Sequence, residues 1–482
     1  MGSRSPLLEA LNNMAGTLPM HMPGHKRNAF WGSAASLFSE RKVYDLDFTE
    51  VPGLDDLHAP EGVIAEAQDL AADCFKAKHS FFLVNGASVG ITAAILSCCQ
   101  EGDKVLVPRN AHRCVYEGLV LSGAAPVYFQ PEYNCELSVP LSPDRRKVAG
   151  LIAGEQPKAL ILVHPTYQGA GCDLNLIREA SAHHVVTIVD EAHGPHFSFD
   201  DRLPRSAVEA AADIIVHSTH KTLGSLTQTG LLHLGTEKLN PQHVGNVLSL
   251  LQSTSPSYVL MASLDAMRAQ LSDSGRAIIG RSVDLALELR EAIGEIDGFS
   301  CAELGGSNGW DPTKILLQAS FMNGFELGET LRRDFGIYAE MEEDSFILLM
   351  LTVGDTSASI ARLVEALRVL SSQGIKAKGK GTEKALSERN AVYSRLPEVV
   401  ITPRQAFQSE KKKCELEKAV GRLSGSLIVP YPPGVPLVCP GERVSRELVE
   451  YLYFIKANKA HVQGLASIGE NGEKLGLLVL EC

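Results

Sequence analysis

The chain of 482 residues lacks several features that define whole classes of protein. It has no excess of positive charge, because 45 Lys and Arg are outnumbered by 57 Asp and Glu, and the formal net charge is -12. Nucleic-acid-binding proteins are normally basic. No uninterrupted apolar run reaches the ~18 residues that a membrane-spanning helix requires, and the N-terminus has no apolar signal core. The sequence therefore predicts neither a nucleic-acid partner nor a membrane protein.

The chain also lacks paired cysteines and an obvious metal site. Its ten cysteines are scattered, and none forms a Cys-x-x-Cys pair, which favours free thiols in a reducing compartment. His193 and His196 are close in sequence, but Pro195 disrupts helical spacing and no third ligand is evident, so no metal is predicted. We expect a cytoplasmic enzyme, or a plastid one if a transit peptide has been removed.

The length fits two or three domains. Apolar strand-like runs alternate with helical patterns from about 61 to 235, which predicts an α/β, doubly wound, mostly parallel sheet. Residues 256–295 read as one long helix or two. The expected divisions are an N-terminal arm (1–60), a large domain (61–295), a small α+β domain (296–373), a lysine-rich linker (374–389) and a C-terminal domain (390–482).

Two residues after predicted strands carry the chemistry. Asp190 ends the apolar run 185–189, and Lys221 follows the run 214–216 with Ser218 beside it. Pyridoxal phosphate (PLP) needs a lysine for its aldehyde and a carboxylate that keeps its pyridine nitrogen protonated. The simpler alternatives are that Lys221 is an exposed surface charge and that Asp190 caps the following helix. Because open α/β sheets bind ligands at the carboxyl ends of their strands, the combination predicts a PLP site.

Two further segments fit the same site. Residues 85–90, with Gly86, Ala87 and Ser88, join a strand to a helix start, where free backbone N–H groups bind phosphate. Such turns are common in proteins. The position of this turn in the chain, before Asp190 and Lys221, is what favours phosphate binding here. His112 follows the strand 104–107 and could stack on the pyridine ring, although it could equally be an ordinary surface histidine.

Two other motifs are better explained by chance. Residues 190–193 spell the helicase box Asp-Glu-Ala-His, and 374–380 nearly spell a phosphate-binding loop. The second motif has Gly381 where a Ser or Thr is required, and it lies in a basic linker that follows a helix-like stretch.

Taken together, motifs over nearly the whole chain resemble those of the ornithine/lysine/arginine decarboxylase family. This family has the aspartate-aminotransferase fold (fold type I), and the chain is similar to its shorter form without the N-terminal wing domain. The matching motifs are residues 21–26, 54–58, 109–113, 165–169, 190–194, 218–222, 254–258, 431–434 and 440–442.

The resemblance implies a role for each site residue. Lys221 would form the Schiff base with PLP, Asp190 would contact the pyridine nitrogen, His112 would stack on the ring and His193 would lie beside the cofactor. The phosphate would be held by Gly86, Ala87, Ser88, Ser218 and His220. Thr254 and Ser255 would reach the cofactor of the neighbouring subunit, which implies an obligate homodimer with active sites between protomers, or a higher oligomer. Ala87 departs from the commoner Gly-Thr/Ser-Ser pattern and offers only its backbone N–H.

The implied reaction is decarboxylation of a basic L-amino acid to CO2 and the corresponding di- or polyamine precursor. Arginine is slightly favoured over lysine or ornithine, and Lys221 or His220 would return a proton to the α-carbon. The substrate's distal cation needs carboxylates or aromatic faces. Asp55 and Glu340 are the first candidates, with Asp56, Glu342 and Glu343 as others.

Two alternatives remain open from the sequence. An aminotransferase or lyase of the same fold is one, with Arg332 or Arg333 as a carboxylate clamp in the case of an aminotransferase. A non-catalytic regulatory homologue is the other, although Lys221, Asp190 and His112 are all intact.

Overall fold

The computed structural model describes residues 18–20, 48–51, 53–134, 136–304, 308–373, 392–393, 395–457, 461–468 and 474–481. The motif at 21–26 and the expected linker at 374–389 lie outside them. The strands are β1 (Leu18–Met20), β2 (His79–Leu83), β3 (Lys104–Pro108), β4 (Ala125–Phe129), β5 (Tyr133–Asn134), β6 (Val139–Pro140), β7 (Ala159–Val163), β8 (Val186–Asp190), β9 (Ile214–His217), β10 (Gly230–Leu234), β11 (Phe299–Ala302), β12 (Lys314–Ala319), β13 (Ile337–Ala339), β14 (Met341–Glu342), β15 (Ile347–Met350), β16 (Lys411–Glu415), β17 (Val429–Pro430), β18 (Val462–Gln463), β19 (Leu465–Ile468) and β20 (Lys474–Leu480).

Helices alternate with these strands through the first half of the chain. They are α1 (Val63–Phe75), α2 (Gly86–Cys98), α3 (Arg113–Ser122), α4 (Arg145–Glu155), α5 (Asn175–Ala182), α6 (Thr219–Thr222), α7 (Pro241–Leu251), α8 (Tyr258–Gly294), α9 (Gly324–Phe335), α10 (Ser357–Ser372), α11 (Pro403–Gln408), α12 (Leu416–Ala419) and α13 (Arg446–Ala457). No helix of the described ranges is long and apolar enough to span a lipid bilayer.

The central sheet has seven strands in the order β2-β10-β9-β8-β7-β3-β4. β10 runs antiparallel to both of its neighbours, and the other adjacent pairs are parallel. The middle strands are largely apolar because helices cover both faces of the sheet, and β8 and β9 are buried at every position, including Thr187, Asp190 and His217. The predicted mostly parallel α/β sheet is confirmed.

The direction of strand order reverses between β3 and β7. From β3 the chain adds β4 on one side, whereas β7, β8 and β9 follow in order on the other side. In an open α/β sheet such a reversal leaves a crevice at the carboxyl ends of the strands, where ligands bind. This topology therefore fixes which loops can form a site.

Two of the smaller sheets have more than two strands. A four-stranded sheet has the order β11-β12-β15-β14, and a three-stranded antiparallel sheet has the order β16-β20-β19. β1 pairs in parallel with β13, so Leu18–Met20 of the expected N-terminal arm is attached to the region of the four-stranded sheet.

The structure of α8 explains why the sequence of residues 256–295 is consistent with either one helix or two. α8 is continuous in its hydrogen bonding, but Ser274 has non-helical angles (φ -135°, ψ 15°), which mark a kink. Ser257 caps the helix start by accepting a hydrogen bond from the Leu260 N–H.

Candidate active site

A cavity of about 360 Å³ lies at the carboxyl ends of β3, β7, β8 and β9. It is the crevice expected from the reversal of strand order. The structure brings nine of the predicted site residues to its wall. They are Gly86, Ala87, Ser88, His112, Asp190, His193, Ser218, His220 and Lys221.

Lys221 is held in the short helix α6, directly after β9. Its backbone N–H donates to the carbonyl oxygen of Ser218 at 3.0 Å, which turns the chain into the cavity. Burial lowers the pKa of the Lys221 amine, and the negative charges of Asp190 and Glu340 oppose that shift only in part. An uncharged amine is the form that attacks a carbonyl carbon, so the surroundings of Lys221 favour Schiff-base chemistry.

His193 lies between two lysine amines. Its Nε2 is 2.9 Å from Nζ of Lys221, and its Nδ1 is 3.0 Å from Nζ of Lys314. Burial and these two lysines hold the pKa of His193 well below its usual range, so the ring is neutral. A neutral imidazole has one donor and one acceptor, and therefore one of the two amines must accept a hydrogen bond and be uncharged. Because burial lowers the pKa of Lys221, its amine is the candidate for that acceptor.

Lys314 is buried at the start of β12. Its stem lies against Gly169, where an added Cβ would be 2.8 Å from the Lys314 Cγ. The carboxylate of Asp311 compensates its charge. Burial acts to raise the pKa of Asp311, but His196 and Lys314 together lower it. These contacts fit a charged Lys314 that donates to Nδ1 of His193 and leaves its Nε2–H to donate to Lys221.

Asp190 ends β8 inside the protein. Burial raises the pKa of its carboxyl group, while the charge of Lys221 and a hydrogen bond from the Ala192 N–H (3.2 Å) act to lower it. A buried carboxylate needs a positive partner to remain ionised. A protonated pyridine nitrogen would supply one.

His112 caps α3, and its Nδ1 lies 3.3 Å from the backbone N of Cys114. Burial, followed by the charges of Lys221 and Arg113, lowers the pKa of His112 to about 3. The ring is therefore neutral at physiological pH and can stack against another ring. Gly434 covers its outer edge, because a Cβ there would be 2.9 Å from His112 Cδ2.

The N-terminus of α2 faces the cavity at Gly86, Ala87 and Ser88. Gly86 has a φ of +79° and donates its N–H to the carbonyl oxygen of Gln228 at 2.7 Å, which fixes the turn into the helix. The following N–H groups have no intrahelical partner, as in any helix start. Ser218 and His220 line the cavity next to it, and Nδ1 of His220 donates to the Thr229 carbonyl oxygen at 2.8 Å. The set fits a phosphate group.

Four predicted residues do not line this cavity. Thr254 and Ser255 are exposed between α7 and α8. The carboxylate of Asp55 accepts hydrogen bonds from backbone N–H groups before and within the first turn of α1, among them those of Gly62 (2.8 Å) and Ile64 (2.9 Å). Although partial burial acts to raise the pKa of Asp55, these bonds lower it to about 2. Asp55 therefore caps the start of α1, and its expected contact with substrate stays a prediction.

Glu340 lies behind the wall rather than in it. Its carboxylate accepts a hydrogen bond from the Tyr167 hydroxyl group, and it is Tyr167 that lines the cavity. Tyr167 also packs against His193, with ring centroids 4.6 Å apart. Burial and the charge of Glu340 raise the pKa of Tyr167 well above its usual range. The observed partner of Glu340 is Tyr167, and the contact of Glu340 with substrate stays a prediction.

The arginines considered as a transaminase clamp are paired at the surface. Arg332 donates to Glu342 at 2.6 Å and Arg333 to Asp334 at 2.7 Å, both from α9. Neither lines the cavity of Lys221. Among the described residues there is likewise no group of three or more side chains suited to a metal ion.

A buried polar chain lies beneath the site. The Glu191 carboxylate is bonded to Nε2 of His217 at 2.6 Å, to the Ser206 hydroxyl group and to the Ala207 N–H. Burial raises the pKa of Glu191 to about 7, although the nearby His164 and the hydrogen bonds from Ala207 and Ser206 act against the shift. Glu191, the glutamate of the Asp-Glu-Ala-His motif, therefore connects the end of β8 to β9 and to the loop at 206–207, and it does not line the cavity.

Comparison with known proteins agrees with this geometry. The profile described as "Orn/Lys/Arg decarboxylase, major domain" matches residues 5–315, and "Orn/Lys/Arg decarboxylase, C-terminal domain" matches residues 387–471. An arginine decarboxylase of Bacillus subtilis (strain 168) is 36% identical over 468 residues, which cover 93% of both chains. The chain belongs to the Orn/Lys/Arg decarboxylase family.

Solved structures place this decarboxylase in the expected fold. The constitutive lysine decarboxylase of Escherichia coli matches 99% of this chain and 82% of its own with a TM-score of 0.79, at 21% identity. An alanine–glyoxylate aminotransferase from Nostoc sp. matches 73% of this chain and 95% of its own with a TM-score of 0.56, at 15% identity. The predicted fold type I and the predicted enzyme class, decarboxylation of a basic amino acid, are both confirmed. Family and fold both support PLP as the cofactor.

The distant family motifs meet in the structure. Arg109, after β3, forms a buried two-pronged ion pair with Glu442 at 2.8 and 2.9 Å, and also donates to the carbonyl oxygen of Leu437. Next to it, the Arg113 N–H donates to the Gly434 carbonyl oxygen at 3.0 Å. Tyr431, Pro433 and Val435 consequently line the cavity from the C-terminal part of the chain.

Sequence reasoning missed Lys314 and gave no role to Tyr167. A lysine directly before the apolar run 315–317 was a usable signal, because a charged residue at a buried strand start needs a specific partner. Tyr167 lies in a motif of the family, but its contacts with His193 and Glu340 depend on three distant segments. No local pattern predicts them.

Proposed function

We propose that this decarboxylase acts on arginine, releases CO2 and yields agmatine, with PLP bound beside Lys221. The observation that carries the proposal is the convergence of the Lys221 amine, the Asp190 carboxylate and the N-terminus of α2 on one cavity. The preference for arginine is supported by relatives named arginine decarboxylase, such as those of B. subtilis and B. anthracis at 36% and 35% identity.

The residues present fit PLP. Asp190 would hold the proton on the pyridine nitrogen, His112 would lie against the ring, and the phosphate would take N–H groups from Gly86, Ala87 and Ser88. Ser218 and His220 would complete the phosphate contacts. When bound, PLP supplies the electron sink that accepts the electrons of the bond broken at the substrate's α-carbon.

The protein's own groups would manage charge and protons around that chemistry. Burial lowers the pKa of the Lys221 amine and so favours the uncharged form, which acts as a nucleophile. Afterwards, either Lys221 or His220 would donate the proton that replaces the carboxylate on the α-carbon. His193 would keep the Lys221 amine oriented through its Nε2–H, and Tyr167 would restrain the His193 ring.

We also propose that the enzyme works as a homodimer or a higher oligomer. Thr254 and Ser255 are exposed and lie outside the Lys221 cavity of their own chain. In the proposed assembly they complete the phosphate site of the neighbouring protomer.

The test is to incubate the PLP-loaded protein with arginine, lysine and ornithine separately and to measure CO2 and the amine product. We expect CO2 and agmatine from arginine, with much slower release from the other two. Cadaverine from lysine or putrescine from ornithine as the main product would overturn the arginine assignment. A protein that binds PLP but releases no CO2 from any of the three would overturn the proposed reaction.

A further inference from the structure

A second, smaller cavity adjoins the cavity of Lys221. Its volume is about 40 Å³, and Asn110, Tyr167, Pro433 and Val435 line both cavities. At roughly 10–15 Å³ per water-sized group, this side chamber holds three or four non-hydrogen atoms. That is the size of a guanidinium group, which has one carbon and three nitrogens.

The groups that line the side chamber are suited to a cation. Glu343 contributes a carboxylate, and Tyr133 and Tyr393 contribute aromatic rings with centroids 5.8 Å apart. None of the described residues that line it is a Lys, Arg or His. Aromatic faces and carboxylates both attract cations, so the chamber has the character that a positively charged group requires.

Gln168 provides an independent sign that a ligand is missing. The residue lines the side chamber and is 3% exposed, and its buried Oε1 has no hydrogen-bond partner among the described residues. Buried acceptors are normally satisfied, so a donor is expected to come from outside the chain. A guanidinium group carries five N–H donors in a planar fork, whereas an ammonium group carries three around one point.

The other acidic candidates do not line the side chamber. Asp55 caps α1, Glu340 accepts from Tyr167, and Glu342 pairs with Arg332 at 2.6 Å. Glu343, the neighbour of Glu342, is the acidic residue that lines the chamber.

We propose that the side chamber formed by Glu343, Gln168, Tyr133 and Tyr393 binds the guanidinium group of the substrate and so gives the enzyme its preference for arginine. This inference rests on the proposed function, since the guanidinium enters the chamber while the α-amino group reaches Lys221. Glu343 and Gln168 accept its N–H groups, and the tyrosine rings cover its faces.

The experiment measures ligand affinity rather than turnover. Agmatine, which has the guanidinium, and pentylamine, which has only a chain and an amine, are titrated into the PLP-loaded protein by calorimetry. Three variants are compared with the wild type. Glu343→Gln removes the charge, Gln168→Leu removes the unpaired oxygen, and Glu342→Gln is the matched control one residue away.

We expect Glu343→Gln to weaken agmatine binding about tenfold or more, because the variant loses a charge-assisted hydrogen bond to the guanidinium group. Pentylamine binding should be unchanged. Gln168→Leu should weaken agmatine binding by a smaller factor, and Glu342→Gln should leave both ligands unaffected. An unchanged cofactor absorbance in each variant shows that the site has kept its structure.

Three results would overturn the proposal. Agmatine could bind Glu343→Gln as tightly as the wild type, or Glu343→Gln could lose both ligands equally. In either case decarboxylation of arginine by the wild type would leave the proposed function standing. If instead the wild type binds agmatine no better than pentylamine and releases no CO2 from arginine, the proposed function fails together with the side chamber.

Discussion

At the scale of single residues, His193 connects the charge of Lys314 to the protonation of Lys221. Its ring can donate to only one of the two amines, and the amine that accepts must be uncharged. A charged Lys314 therefore favours the nucleophilic form of Lys221 through a hydrogen-bonded intermediary. The effect on the protonation of Lys221 requires both Lys314 and His193. The sequence pattern that identifies Lys221 gives no indication of Lys314.

We predict that Lys314→Met makes the enzyme sensitive to acid. Loss of the Lys314 charge lets the lowered pKa of His193 rise, so the ring becomes protonated at a pH where the wild-type ring is neutral. The acid limb of the kcat/KM profile should move to higher pH by roughly one unit. The exposed Lys413→Met serves as control and should keep the wild-type profile. An unchanged profile in Lys314→Met would show that His193 does not depend on Lys314.

At the scale of elements, the site depends on how closely α2 approaches β9 and β10. Gly230, at the start of β10, leaves no room for a side chain. An added Cβ would be 2.6 Å from the His217 carbonyl oxygen and 3.4 Å from the backbone N of Ala87. Because the first contact is with backbone, the strand or the helix start would have to move.

We therefore predict that Gly230→Ala weakens PLP binding about tenfold, consistent with the ~1–3 kcal/mol that overpacking typically costs. The affinity is measured by titrating PLP into cofactor-free protein and following the absorbance. Gly150→Ala in α4 is the control, since a Cβ there meets nothing within 4 Å. Equal PLP affinity in both variants would mean that the N-terminus of α2 does not hold the phosphate.

The sequence predicts these elements well where the pattern is local. The strands Ala159–Val163, Gly230–Leu234 and Lys314–Ala319 have the bounds expected from their apolar runs. Asp190 and Lys221 were identifiable because strand ends determine their position. The observed partners of Glu340 and Asp55 could not be predicted, because segments that meet only after folding determine them.

At the scale of the whole molecule, the C-terminal part of the chain is joined to the central sheet by the buried Arg109–Glu442 pair. Both side chains are almost inaccessible to solvent, at 5% and 1% exposed. A buried charge that loses its partner is strongly destabilising. The pair therefore fixes the position of Tyr431, Pro433 and Val435 over the cavity.

We predict that Glu442→Gln lowers the free energy of unfolding by about 3 kcal/mol, since it leaves Arg109 buried without its counter-charge. Urea unfolding and calorimetric melting both report this loss. Glu398→Gln, which breaks the exposed pair with Arg443, is the control and should melt like the wild type. Similar melting of all three proteins would contradict a structural role for the buried pair.

The proposed oligomer gives a complementation test. Lys221→Ala should be inactive, and the double variant Thr254→Ala, Ser255→Ala should be strongly impaired. If the two are mixed and exchange subunits freely, mixed dimers regain one intact site, and activity should recover to about a quarter of the wild-type value. An exchanged mixture without recovery would show that Thr254 and Ser255 do not act across an interface.

The most direct test of the account is to identify the lysine that bonds to PLP. The PLP-loaded protein is reduced with borohydride, digested and examined by peptide mass spectrometry. We predict phosphopyridoxyl label on Lys221 and none on Lys314, the other lysine in contact with His193. Label on Lys314, or on any lysine other than Lys221, would contradict the assignment on which the proposed chemistry depends.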